Sequence, residues 1–259
     1  MLLAYLRYLA RARDEHALHS PFLFSLYTQT IRADNRREPA FAPIEALRRQ
    51  LSRSPERITI TDFGAGSAVN AARQRTVGDI ARHSVKPARY GRLLYRLVRQ
   101  FNARTVVDLG TSLGLTTACL AEAARLTGGH VQSFEGCPET AALARRNLDQ
   151  LALSNVQVVV GNLDETLAAS VALLDRIDVA FFDANHRYEP TLRYFETCWS
   201  RAHNDTVFVF DDIHWSAGME RAWADIQQHP AVSITVDLFG VGLVFFRREQ
   251  PKQHFVLRF

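Results

Sequence analysis

At 259 residues with 47% hydrophobic content, the chain is long enough for one sizeable core plus an extension, and no apolar run approaches the roughly 20 residues of a membrane span. Three cysteines (Cys119, Cys137, Cys198) lack metal-ligand spacing and point to a reduced, cytoplasmic setting, with Cys119 and Cys198 read as core fillers. The net charge of +4 is split: residues 1–103 hold 18 Lys/Arg against 8 Asp/Glu, and residues 104–259 hold 13 against 19. The basic residues are dispersed, with no interleaved aromatic stripe, so nucleic acid is a disfavoured partner; two lysines in all exclude mechanisms that need several.

The first hundred residues read as a helical extension. Residues 2–13 place Leu2, Leu3, Leu6 and Leu9 against Arg7, Arg11 and Arg13 at helical spacing, and the arginine inside this apolar start makes it a poor signal peptide. Ser20-Pro21 can open a second helix, as cap and first position. Further helices are expected at Ile44–Leu51 and Tyr90–Phe101. Between them, Asp62-Phe63-Gly64-Ala65-Gly66-Ser67 follows the β-prone run Ile58–Thr61 and is a weak second candidate for a nucleotide loop. The expected division is 1–103, a basic helical cap that can also carry homodimer contacts, and 104–259, an acidic catalytic domain.

From residue 104 strands and helices alternate. Strands are expected at 105–109, 131–135, 156–160, 177–182 and 206–210, and helices near 115–126, 138–151, 163–174, 189–202 and 217–228. Unalternating apolar strands separated by helices specify a parallel sheet covered on both faces. The end departs from that pattern: Val232–Leu238, a turn at Gly240 and Val241–Phe246 make an antiparallel hairpin. The strand at Val106–Leu109 runs into a turn with Gly110 and Gly114, where a glycine lets backbone approach a ligand closely. The spacing is Gly-x-x-x-Gly and not the dinucleotide Gly-x-Gly-x-x-Gly, which weakens a nicotinamide reading.

Four segments in order carry a resemblance: Val107-Asp108-Leu109-Gly110-Thr111-Ser112-Leu113-Gly114, Phe134-Glu135-Gly136, Phe182-Asp183-Ala184-Asn185-His186 and Phe210-Asp211-Asp212. Residues 104–246 resemble the class I S-adenosylmethionine-dependent methyltransferases, and within them the metal-dependent O-methyltransferases of the catechol, caffeoyl-CoA and macrocin kind. The resemblance implies an α/β, Rossmann-like, seven-stranded sheet of five parallel strands plus the C-terminal antiparallel hairpin. It also implies S-adenosylmethionine as cofactor, with Mg²⁺ or another divalent cation, and a small hydroxylated acceptor.

The resemblance assigns cofactor binding to Asp108, Gly110, Thr111, Ser112, Gly114, Glu135, Gly136, Asn162, Leu163 and Asp183. Glu135, at the end of the second strand, suits the two ribose hydroxyls of an adenosine. Asp108 holds either the cofactor's cationic end or the loop itself. Asn162 stands where the family usually has aspartate facing the adenine amino group, and its amide oxygen can accept the same bond. Asp183, Asp211 and Asp212 are the expected metal ligands, because clustered carboxylates resist joint ionisation without a cation. Asp212 can alternatively cap the next helix.

His186 follows Asp183 by three residues, where catechol-type members carry lysine, and is the expected general base, with Asp183 as its catalytic neighbour. His214, Tyr188 and Trp215 are candidate pocket walls. Metal-independent N- or O-methyl transfer and a non-catalytic S-adenosylmethionine-binding module remain open alternatives on the sequence alone.

Overall fold

A computed structural model describes residues 2–61 and 74–259; the Asp62–Ser67 loop lies outside them. The chain forms two compact units, Met1–Asp34 with Leu174–Phe259, and Asn35–Leu173. Residues 35–103 thus share a unit with the strand that carries the glycine turn.

The first unit begins with α1 (Leu2–Arg11), whose described side chains anchor it through one buried ring: Tyr8 donates from its hydroxyl to the Leu257 carbonyl at 2.6 Å. Pro21 opens α2 (Pro21–Ser25), as its fixed φ at the first helical position predicts, and the helix widens into a π-turn at Leu26–Ile31.

The second unit follows with α3 (Phe41–Ser52), then the short antiparallel pair β1 (Arg57–Thr59) and β2 (Gln74–Thr76). Thr76 caps α4 (Val77–His83) by accepting from the Asp79 N–H at 3.1 Å. α5 (Ala88–Gln100) buries Leu93, Leu94, Leu97 and Val98, the face its 3.6-residue spacing sets out. Three strand–helix repeats complete the unit: β3 (Thr105–Leu109), α6 (Leu115–Arg125), β4 (His130–Glu135), α7 (Pro138–Gln150), β5 (Val156–Val160) and α8 (Leu163–Ala172). β4 lies between β3 and β5, parallel to both, so the ends of all three point the same way.

The chain then returns to the first unit with β6 (Ile177–Phe182), α9 (Tyr188–Trp199), β7 (Ala202–Asp211), α10 (Ala217–Gln228), β8 (Ile234–Asp237), β9 (Val241–Phe245) and β10 (Gln253–Val256). Its strand order is β10-β8-β9-β7-β6, with β6 and β7 parallel and β9 antiparallel to both β7 and β8. β6 is buried at every position, as expected of a strand covered on both faces.

The five strands here and β3, β4 and β5 of the other unit make eight, apart from the β1–β2 pair, one more than the expected seven. The extra one, β10, pairs parallel with β8 and continues to Leu257, which bridges Arg13. β7 also starts four residues earlier than expected. No described helix is long and apolar enough to cross a membrane.

Candidate active site

In the second unit, the turn after β3 is built on hydrogen bonds. Gly110 and Thr111 both donate their N–H to the Phe134 carbonyl, at 3.0 and 2.9 Å, which ties the turn to the end of β4. Gly110, Ser112 and Gly114 all adopt positive φ, at 117°, 48° and 79°. At Gly114 the need for glycine comes from that φ, since a Cβ there would meet α7 only at ordinary contact distances, 3.4 Å from the Ala144 carbonyl and 3.5 Å from Leu148.

Asp108 is fully buried, and its Oδ2 accepts from the hydroxyls of Thr117 (2.6 Å) and Ser133 (2.7 Å). Ser133 also shares a 2.6 Å hydrogen bond with Thr111. This is the loop-holding alternative for Asp108: one carboxylate joins β3, β4 and α6 beneath the turn. Nothing in the local sequence distinguishes Thr117 and Ser133 from other hydroxyls, since β4 and α6 both carry further polar residues; their pairing with Asp108 is set by the fold.

Glu135 faces the turn from the end of β4, with Oε2 accepting from the Ser112 N–H at 2.8 Å and Oε1 from the Cys137 N–H at 2.9 Å. Burial raises its pKa, opposed by the N–H groups of Cys137, Ser112 and Gly136. A carboxylate offers about four lone-pair directions, so three N–H partners still leave room to accept a hydroxyl. Asn162 caps α8, its Oδ1 accepting from the Asp164 N–H at 3.1 Å, and Leu163 is the helix's first residue. The amide oxygen expected to face an adenine thus already has a backbone partner.

The first unit brings together a different set. β6 and β7 run parallel in register, Phe182 opposite Phe210 with their rings stacked at 4.2 Å. The next residues, Asp183 and Asp211, therefore leave the two strands side by side, at about the 4.8 Å spacing of neighbouring strands. After Asp183, Asn185 and His186 both take left-handed φ, 69° and 43°, and the His186 N–H donates to the Ala184 carbonyl at 2.9 Å. Two consecutive non-glycine residues in that region are a strained reversal, of the kind retained where side-chain placement matters. It returns the imidazole to Asp183, with Nε2 3.5 Å from Oδ1.

One ligand atom each from Asp183, His186 and Asp211 lies within 4.8 Å of the others, and Asp211 is buried. Two carboxylates and an imidazole this close form a donor set that fits a divalent cation. Asp212 is not in that group: its φ is 52°, its N–H donates to the Gly240 carbonyl, and its own carbonyl accepts from Trp215. Nor does its side chain cap α10, a role taken by Ser216, which accepts from the Met219 N–H at 3.2 Å.

His214 lies between two carboxylates, Asp237 at 2.8 Å and Glu220 at 3.4 Å, and stacks on Phe239. Burial opposes its protonation, but the hydrogen bond and charge of Asp237 outweigh it and raise its pKa. Trp215 is exposed, while Tyr188 donates to Asp225 at 2.5 Å and carries Arg221 over its ring. Cys119 and Cys198 are buried and free, and burial pushes the Cys119 thiol up to about 12, so both behave as apolar filler.

Strand–turn–helix units closed by a terminal antiparallel hairpin, with acids at the ends of β4, β6 and β7, define a class I S-adenosylmethionine-dependent methyltransferase. A methyltransferase-domain family model matches residues 107–213. The chain is 31% identical to a catechol O-methyltransferase of Mycobacterium tuberculosis, over 59% of its own length and 67% of that protein's. It is 30% identical to a catechol O-methyltransferase of Niastella koreensis, over 50% and 58%. An O-methyltransferase of Bacillus cereus, solved in complex with SAH, superposes with a TM-score of 0.53 at 26% identity, covering 62% of this chain and 82% of that one. The chain belongs to the class I S-adenosylmethionine-dependent O-methyltransferases.

Proposed function

We propose that the chain transfers the methyl group of S-adenosylmethionine to a hydroxyl of a small molecule, with a divalent cation at Asp183 and Asp211 and His186 as general base. The observation that carries this reading is the convergence of Asp183, His186 and Asp211 at the ends of two registered strands. The catechol O-methyltransferase relatives support a hydroxylated acceptor, and the SAH complex of the Bacillus cereus enzyme supports the cofactor. Glu135 and the Gly110–Gly114 turn are the cofactor-binding groups in this reading. Asp212, adjacent to Asp211, is the further oxygen donor.

A cation bound there lowers the pKa of an acceptor hydroxyl and orients its oxygen. His186 takes the acceptor's proton, and the Asp183 carboxylate at 3.5 Å favours the imidazolium that results. Positioning of the deprotonated oxygen supplies much of the remaining rate.

The test separates the two roles. Asp211→Asn is expected to abolish binding of Mg²⁺ or Mn²⁺ in a calorimetric titration. His186→Ala is expected to leave cofactor affinity intact and to slow turnover by about 10²–10⁴, the reach of a positioned general base. Full activity in a strong chelator refutes the cation, and normal turnover of His186→Ala at pH 7 refutes the base.

A further inference from the structure

The first unit holds a cleft of about 640 Å³ at the opposite end of its strands from Asp183 and Asp211. It is lined by the end of α9, the first residues of β7, and the segments that precede β8, follow β9 and precede β10. β7 spans the unit between the two places: Ala202 and His203 line the cleft, and Asp211 ends the strand in the Asp–His–Asp group. At 3.2–3.4 Å per residue, they are roughly 25–30 Å apart. The cleft is therefore a separate site, and its volume falls in the range of small-molecule pockets.

Its chemistry is cationic and aromatic. Arg247, Arg248, Lys252 and His203 line it, and no Asp or Glu does among the described residues. Three of the four are already engaged. Arg247 pairs with Asp205 at 2.9 Å and Glu249 at 2.6 Å, Lys252 donates to the Gln228 and His229 carbonyls at the end of α10, and His203 pairs with the buried Asp178 at 2.9 Å. The Arg248 guanidinium is exposed and makes no hydrogen bond or ion pair among the described residues, while its backbone N–H is held by Asn204 at 2.9 Å. The site thus offers one uncommitted planar fork on a fixed backbone, a match for one carboxylate and not for a polyphosphate. The same cleft is lined by Trp199, 39% exposed and braced edge-on against His229 at 4.7 Å, and by the edge of the largely buried Phe246. An exposed indole in a concave site supplies a large apolar wall at little conformational cost.

We infer that this cleft is a binding site for a planar aromatic carboxylate, its ring against Trp199 and Phe246 and its carboxylate on Arg248. The site is independent of the methyl-transfer reading, which uses none of these residues.

The test titrates the full chain with 1-naphthoate and its neutral counterpart 1-naphthamide, followed by calorimetry and tryptophan fluorescence. The acid is expected to bind about tenfold or more tighter than the amide, as one charge-assisted contact requires. Arg248→Gln is expected to remove that preference, and Trp199→Ala to weaken both probes. Both side chains are at the surface, and the acid–amide comparison on the unaltered chain needs no variant. Equal affinity for acid and amide overturns the proposal. So does naphthoate affinity unchanged in both variants, because the probe is then bound elsewhere. Absence of any saturable binding overturns it as well.

Discussion

Replacing Thr117 by valine tests whether Asp108 is a structural keystone of the turn. Thr117, Asp108 and Ser133 are all 0% exposed, so solvent cannot supply a substitute partner. Valine matches threonine in shape and nearly in helix propensity, so the substitution opens no cavity and leaves the backbone preference intact. What is lost is the 2.6 Å hydroxyl bond to Asp108 Oδ2. A hydrogen bond to a charged group contributes about 1.5–3 kcal/mol. For a chain of this size each kcal/mol corresponds to about 2–4 °C in Tm.

Ser133→Ala removes two bonds, to Asp108 at 2.7 Å and to Thr111 at 2.6 Å, and is expected to cost more. Because Thr117 and Ser133 donate to the same oxygen, the double variant is expected to be non-additive by about 0.5–3 kcal/mol. Urea unfolding followed by far-UV circular dichroism, with unchanged m-values, measures all three. If Thr117→Val lies within about 0.5 kcal/mol of the parent, the carboxylate is not held as described. Strict additivity in the double variant refutes the shared-oxygen argument.

Glu135→Gln is expected to weaken S-adenosylhomocysteine binding by about 1.5–3 kcal/mol in calorimetry, since charge-assisted hydrogen bonds become neutral. The same residue has a pH signature. Its folded pKa is raised by burial, so the folded state holds its proton to higher pH than the unfolded chain does, and stability falls as pH rises from the ordinary Glu value to the raised one. Urea midpoints across that window are expected to decline for the parent relative to Glu135→Gln, and parallel profiles would refute the shift. Gly242→Ala places a Cβ 2.5 Å from the Trp223 ring, in a strand with no slack. Thermal unfolding is expected to show a loss of about 1–3 kcal/mol from overpacking, partly recovered in Gly242→Ala with Trp223→Leu. An unaffected Gly242→Ala protein would mean that the ring moves freely.

Much of the domain was legible in the sequence because its signals are local. Val106–Leu109 and Ile177–Phe182 are short apolar runs bounded by turns, and burial on both faces demands that composition wherever the strand sits in a sheet. The helix that opens at Leu115 and the hairpin about Gly240 follow from residues within a few positions. Acids at strand ends could be recognised because an abrupt change from apolar to charged marks where a buried strand emerges.

Partnership was not local, and only the tertiary structure decided it. Asp183 and Asp211 meet because β6 and β7 pair in register, and His186 joins them through two left-handed residues that no composition rule specifies. Asp212, equally acidic and one residue from Asp211, lies outside that group, its backbone tied to Gly240 and Trp215 at a φ of 52°. β10 was invisible for a related reason. Gln253–Val256 is polar at one end and half-exposed at the other, and becomes a strand because the β8 edge supplies the hydrogen bonds. Likewise, the sequence leaves Asp108 open between cofactor and loop, and it is the fold that brings Thr117 and Ser133, 9 and 25 residues away, to donate to its oxygen. Residue type and local periodicity set what each segment can form, whereas long-range pairing chooses which polar groups face one another.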